Sequence, residues 1–428
     1  MQYLQKFKKT AIGNIPEEWE LKELKEIADV KGGRRLPLGE KFSDTKTPYP
    51  YIRVSDCKDG SIDQTNLQFL TENTYKKIKN YCIGYKDVYI SIAGTIGVTG
   101  LIPRELDGAN LTENAAKIIN LKNIKKEFMI YLFNSHLIQK QIQSHTGQVS
   151  QPKLALFRIE KIKLPLPPIE EQQIIATILS TVDELIQKTE QVIGQTQRLK
   201  KGLMQKLLTK GIEHHKFKKT ELGSIPEEWK FEKLSENSVI KGRIGWQGLT
   251  TAEYLQKGVY YLVTGTDFKD GRIDWKNCVY VDEKRYTQDE NIQLKKGDVL
   301  VTKDGTIGKI AFIDTLPRPT TLNGGIFVIR PMDKAYFPLF LYYVLYSNFF
   351  VKFLNKLKAG STINHLYQKD FVNFTFPVPP YLEQQIIATL LSTVDELIQK
   401  QQTNKSTLEN LKKGLMQQLL TGKIRVKV

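Results

Sequence analysis

The side chains best equipped for bond-breaking chemistry are few in this chain and poorly grouped. Its five histidines, His136, His145, His214, His215 and His365, stand at no spacing that would turn two imidazoles toward one metal ion. Val378-Pro379-Pro380-Tyr381 approaches the Asp/Asn-Pro-Pro-aromatic arrangement in which a polar side chain and a neighbouring carbonyl orient a target amine, but valine holds the first place, and Leu166 to Ile169 lacks the aromatic as well. The Pro-Pro pair is therefore read as a helix entrance. No glycine-rich cofactor loop follows a strand, which leaves no place for S-adenosylmethionine. Gly305-Thr306-Ile307-Gly308-Lys309 lacks the spacer and the closing hydroxyl residue of a phosphate loop, and its counterpart from Gly94 has Val98 where the lysine would be. Cys57, Cys82 and Cys278 have neither metal-ligand spacing nor the numbers for a disulfide framework, and are read as structural thiols in a reducing compartment.

What remains is chemistry of contact. Lys plus Arg is 63 against 46 for Asp plus Glu, and the net charge of +17 favours a polyanionic partner. Basic runs occur at Lys31 to Arg35 and Lys241 to Gly248. Arginine can read guanine bidentately, while lysine, glycine amides, tryptophan and glutamine suit phosphate and groove contacts. The residues of these runs proposed to touch double-stranded DNA are Lys31, Gly33, Arg34 and Arg35, and Lys241, Arg243, Trp246 and Gln247. Arg53 and Lys303 join them, with Thr95 and Thr306 of the two Gly-Thr-Ile-Gly turns, whose amides either serve plain turn chemistry or face a phosphate or base edge. Two small polar segments complete the set, with Ser150, Gln151 and Lys153 in one and Thr362, Asn364 and His365 in the other. For any single lysine the competing explanation is a solvated surface charge, and for the polar segments it is helix capping. No catalytic or metal-binding residue is assigned.

The elements that must position these residues are written twice. Lys6 to Trp19 returns 210 positions later as Lys216 to Trp229, and the EQQIIAT segment from Glu171 returns 212 later from Glu383. Each second repeat begins at Pro-Pro, where proline and acidic residues favour a helix start. A helix is predicted from about Glu170 to Leu208, roughly 58 Å long at about 1.5 Å per residue. Its heptad seam is read as Ile175, Ile178, Val182, Leu185, Thr189, Val192, Thr196, Leu199 and Leu203. The second copy supplies Ile387, Leu390, Val394, Leu397, Gln401, Asn404, Leu408, Leu411 and Leu415. The two seams are expected to pair antiparallel about a pseudo-two-fold axis, with Gly194, Gly202 and Gly414 weakening or bending the pair. The intervening segments, about 17 to 163 and 227 to 375, share only faint traits such as Asp56 to Asp63 with Asp267 to Asp274. Their β-type runs at Asp87 to Ile92 and Asp298 to Thr302 precede helical stretches near Phe128 to Gln143 and Phe340 to Leu357. The fold class is α+β: two mixed α/β domains separated by two long helices paired as an antiparallel coiled coil, an internal repeat. The most apolar stretch, Tyr336 to Phe350, is short and interrupted for a membrane span, and no signal peptide opens the chain, so a soluble cytoplasmic protein is expected.

The paired IPEEW openings, the GTIG turns, the Pro-Pro helix entrances followed by Glu-Gln and the alternation of unlike and repeated blocks resemble, over essentially the whole chain, the specificity subunit of a Type I restriction-modification system. That resemblance implies target-recognition domains at 1–163 and 213–375, each reading half of an asymmetric bipartite DNA site. It also implies a central conserved helical region at 164–212 and a C-terminal one at 376–428, which set the spacing and dock the modification subunits. It implies a non-catalytic chain whose partners are double-stranded DNA, two modification (methyltransferase) subunits and restriction (translocase/endonuclease) subunits. S-adenosylmethionine, ATP and Mg²⁺ would sit on those partners and no cofactor on this chain. The alternative is a self-contained DNA methyltransferase or nuclease with degenerate motifs.

Overall fold

The computed structural model describes residues 6–58, 60–146, 152–221, 223–358 and 365–427. By internal contacts the chain divides into two compact units, Met1–Glu190 with Thr403–Val428, and Gln191–Gln402. Each unit therefore takes half of each long helix, Ile169–Lys210 and Tyr381–Leu419.

In unit 1 a four-stranded antiparallel sheet runs in the order Thr99–Leu101, Val88–Ser91, Ala115–Ile119 and Asp29–Gly32. Every residue of Val88–Ser91 is buried, the pattern of a central strand covered on both faces. Helices Lys126–Phe133 and His136–Thr146 supply Phe128, Leu132, Phe133 and Ile138 to the core. The strand Glu20–Glu23 pairs with Lys163–Leu166, tying the start of the domain to the residues that lead into the first long helix. A second small sheet pairs Pro50–Ile52 in parallel with Ala109–Leu111.

Unit 2 repeats the plan with different side chains. Its sheet runs Ser238–Lys241, Ile326–Pro331, Val299–Thr302 and Ile310–Phe312. Helices Pro338–Leu345 and Asn348–Lys358 cover it, and Lys230–Lys233 pairs with Thr375–Val378. Its core is heavily aromatic, with Phe371, Phe350, Phe374 and Phe376 linked in a chain of ring contacts.

The helix entrances carry more than caps. Glu171, wholly buried, accepts the Trp19 indole N–H at 3.1 Å and a two-pronged bond from Arg425 at 2.6 and 2.8 Å. In unit 2 Glu383 likewise accepts the Trp229 indole N–H at 3.1 Å, but its other partners are the Ile212 amide at 2.9 Å and His214 Nε2. The next residue of each motif, Gln172 or Gln384, bonds main-chain groups at the helix entrance and on the packed domain. These buried polar side chains weld helix to domain, since each would cost roughly 1–3 kcal/mol if left unpaired.

In unit 1 Asp183 pairs with Lys412 and Glu190 with Lys405, so the first long helix runs opposite to the second. In unit 2 Lys200 pairs with Asp395 in the same sense. The seam differs from the predicted one in one of its two columns. Thr189 and Thr196 are buried as expected, but Leu185, Val192 and Leu199 are 45%, 40% and 56% exposed, and Leu390, Leu397 and Leu411 are similarly open. The inward column is instead Ile186, Ile193 and Lys200 on one helix and Ile398, Lys405 and Lys412 on the other. Both columns keep heptad spacing. The sequence disguises the true one because its lysines lie along the seam on their aliphatic stems while the ammonium groups reach partner carboxylates.

Candidate nucleic-acid interface

The register of the main sheet decides which candidate residues can act together. In unit 1 Ala116 faces Gly32 and Ala115 faces Ser91, so the end of the basic run, the loop around Asn114 and the turn from Ala93 emerge at one end of the sheet. The segment before the short helix Leu156–Glu160 joins them through the bridge of Ala93 with Lys153 and the Leu154 amide donated to the Ile92 carbonyl at 2.9 Å. Unit 2 builds the same cluster: the Lys303 amide donates to Gly325 O and the Leu366 amide to Lys303 O, both at 2.8 Å, and Asp304 bridges His365.

The electrostatics of the two ends differ. In unit 1 Lys31, Arg34, Arg35 and Lys153 are exposed and have no carboxylate partner among the described residues. The Arg34 guanidinium lies 5.7 Å from the centre of the Tyr81 ring, which limits its rotamers without consuming its charge. In unit 2 Lys241 is exposed, whereas Lys303 is half-buried over the Phe327 ring at 4.8 Å, and burial holds its ammonium below the usual lysine range.

Several candidate contacts prove structural. Arg243 is 2% exposed and donates to the Leu322 carbonyl, Thr321 and Gln288. Burial, then the nearby Arg285, pulls it below an arginine's ordinary pKa. Its guanidinium is a core cross-link and cannot reach a base. Gln247 is also buried, donating to Asp289 at 3.3 Å and accepting the Ile244 amide. Arg53 is held two-pronged by Asp56 at 2.8 and 3.1 Å and donates to Asn66 O, which leaves little of its fork to read guanine. Gly33 gives its amide to Ala115 O at 3.0 Å, and an added Cβ would lie 2.1 Å from Thr112 O. It is glycine because two backbones touch there.

The Gly-Thr-Ile-Gly turns are closed from within. The Ser91 hydroxyl bonds the Thr95 carbonyl and accepts the Val98 amide at 2.9 Å, and Thr302 does the same for Thr306 and Lys309. The Gly97 and Gly308 amides also close the turn, donating to Ser91 O and Thr302 O at 2.9 Å, while Thr95 and Thr306 remain exposed at its tip. His365 bonds Asp304 through Nδ1. Ser150, Gln151, Thr362, Asn364 and the side chain of Trp246 lie outside the described residues. Tyr367, which the sequence reading did not single out, stands exposed beside His365. Its only sequence signal is an aromatic residue two places after the polar segment.

Among the described residues no group of three or more His, Cys, Asp or Glu could hold a metal ion, and no helix is long and apolar enough to cross a membrane.

A family model described as the Type I restriction modification DNA specificity domain matches residues 16–195 and again 226–410. The chain belongs to the specificity subunits of Type I restriction-modification systems. The MjaVIII specificity subunit of Methanocaldococcus jannaschii is 32% identical over 431 residues, covering 96% of this chain and 94% of that one. The EcoBI specificity subunit of Escherichia coli is 24% identical and covers 96% of this chain and 87% of its own. The same fold occurs in the S subunit of the M. genitalium system, with a TM-score of 0.58 at 16% identity, covering 94% and 96% of the two chains. Each family match takes in one sheet end described above together with the start of the long helix that follows it.

Proposed function

We propose that this specificity subunit reads DNA sequence with the two sheet ends, one half of an asymmetric bipartite site each, and that its long helices set the gap between half-sites and dock methyltransferase subunits. The observation that carries the reading is a pair of loop clusters, built on equivalent sheet ends by equivalent backbone bonds, bearing unlike side chains. A chain with two different readers recognises a site without two-fold symmetry, whereas an identical dimer would demand a palindrome. The unpaired cations of unit 1 suit phosphate and guanine, and the mixed surface of unit 2 suits a different set of bases.

The chain is a reader without chemistry of its own. Methyl transfer from S-adenosylmethionine, and ATP- and Mg²⁺-dependent translocation and cleavage, belong in this proposal to modification and restriction subunits that it recruits in the cytoplasm. Long-read mapping of methylated motifs, with and without this gene, tests the reading. A bipartite motif should vanish with the gene and return on complementation. Methylation or cleavage of DNA by the purified chain alone, given those cofactors, would overturn the non-catalytic assignment.

A further inference from the structure

The sheet end of unit 2 carries an arrangement that unit 1 lacks. Asp304 holds the His365 imidazole through Nδ1, the imidazole packs on Tyr367 with ring centres 4.6 Å apart, and Lys369 Nζ lies 5.5 Å from the centre of the same tyrosine ring. The tyrosine is nonetheless 56% exposed. The matching positions of unit 1, fixed by the equivalent bridges and by the residue preceding each short helix, hold Ala93, Lys153, Ala155 and Phe157.

Three features make this more than an incidental surface ring. A large aromatic left in water is oriented in advance by neighbours on two sides, so little side-chain entropy remains to be lost on binding. A carboxylate at Nδ1 fixes the orientation of the imidazole and leaves Nε2 as its outward edge. Both groups stand beside the exposed Thr306 turn, at the end of the sheet that also presents Lys241.

We infer that Tyr367 and His365 determine the half-site read by unit 2: the tyrosine ring packs against the C5 edge of a pyrimidine, and His365, oriented by Asp304, hydrogen-bonds the neighbouring base. Lys369 steadies the ring and sits near the phosphates. This assignment rests on the proposed DNA-reading role of the sheet end.

The test is selection of methylated sites from a randomised duplex library by the full chain reconstituted with its modification subunits, comparing wild type with Tyr367→Ala, Tyr367→Phe and His365→Ala. Tyr367→Ala should relax the preference at one position of one half-site by about tenfold, the scale of a single lost base contact. His365→Ala should relax an adjacent position, Tyr367→Phe should keep the wild-type preference, and the other half-site should be unchanged in all three. Wild-type preference at both half-sites in the alanine variants would overturn the assignment while leaving the DNA-reading role intact. So would methylation lost with binding preference unaltered. A wild-type complex without any sequence preference would instead overturn the role on which the assignment rests.

Discussion

The two units agree where load is carried and differ where a ligand would be met. Tyr131 donates to Asp183 at 2.8 Å, and Lys412 from the antiparallel helix pairs with the same carboxylate at 2.5 Å while lying 5.7 Å from the tyrosine ring centre. Tyr343, Asp395 and Lys200 reproduce all three distances in unit 2. Each triad joins a domain helix, the first half of one long helix and the second half of the other. The sheet ends share their backbone bonds and the Gly-Thr-Ile-Gly turn, and differ in most of the side chains around them. Duplicated sequence thus marks the frame, and divergence marks the contact surface.

The comparison breaks most visibly at the buried glutamates. Glu171→Ala leaves Arg425 with only the exposed Glu18 as partner and the Trp19 indole N–H unpaired, and should cost about 3 kcal/mol, the lower end for a broken buried ion pair, with hydrogen-exchange protection lost in unit 1 and kept in unit 2. Glu383→Ala should cost less, because its side chain is 12% exposed against none for Glu171 and its partners are an amide, an indole and an imidazole.

Close packing gives the next effect. Gly33→Ala drives a methyl into the Thr112 carbonyl and should destabilise unit 1 by roughly 1–3 kcal/mol. Gly242→Ala, where the nearest atom to an added Cβ is Ile326 O at 2.8 Å, should be milder. Chemical denaturation resolves both.

If the triads are equivalent, Tyr131→Phe and Tyr343→Phe should each lose about 1.5 kcal/mol, as for a hydrogen bond to a charged group. Equal losses in protection within the respective units would support the shared frame, and a loss confined to one unit would break it.

A separate effect appears only in alkali. Burial pushes the Cys57 and Cys278 thiols up to about 12 from an ordinary 9. The unfolded chain therefore releases these protons first: their contribution to stability is intact below pH 9 and fades as pH rises from 9 toward 12. Melting temperature should fall across that interval, and alkylation at pH 8 should be slow until unfolding.

Much of this frame is legible in the sequence, because repetition and Pro-Pro entrances followed by Glu-Gln mark the two long helices, which begin at Ile169 and Tyr381, directly after each proline pair. The seam was half legible. Thr189 and Thr196 fell on it, but Lys200, Lys405 and Lys412 hid its second column, since a lysine reads as surface when its stem is packed. The candidate interface was least legible. Arg243 and Arg34 are alike in a string of letters, and only tertiary burial makes one a cross-link and leaves the other facing solvent. The Glu-Gln pair that anchors each helix likewise reads as a cap until Trp19 and Trp229 are found across from it.

The most direct test of two independent readers on one frame replaces Arg34 and Arg35 by alanine in the complex reconstituted with modification subunits, followed by sequencing of every methylated site. One half of the bipartite motif should become degenerate while the other half and the gap between them stay fixed. If both halves change together, or the gap changes with both halves intact, the division of labour described here is wrong.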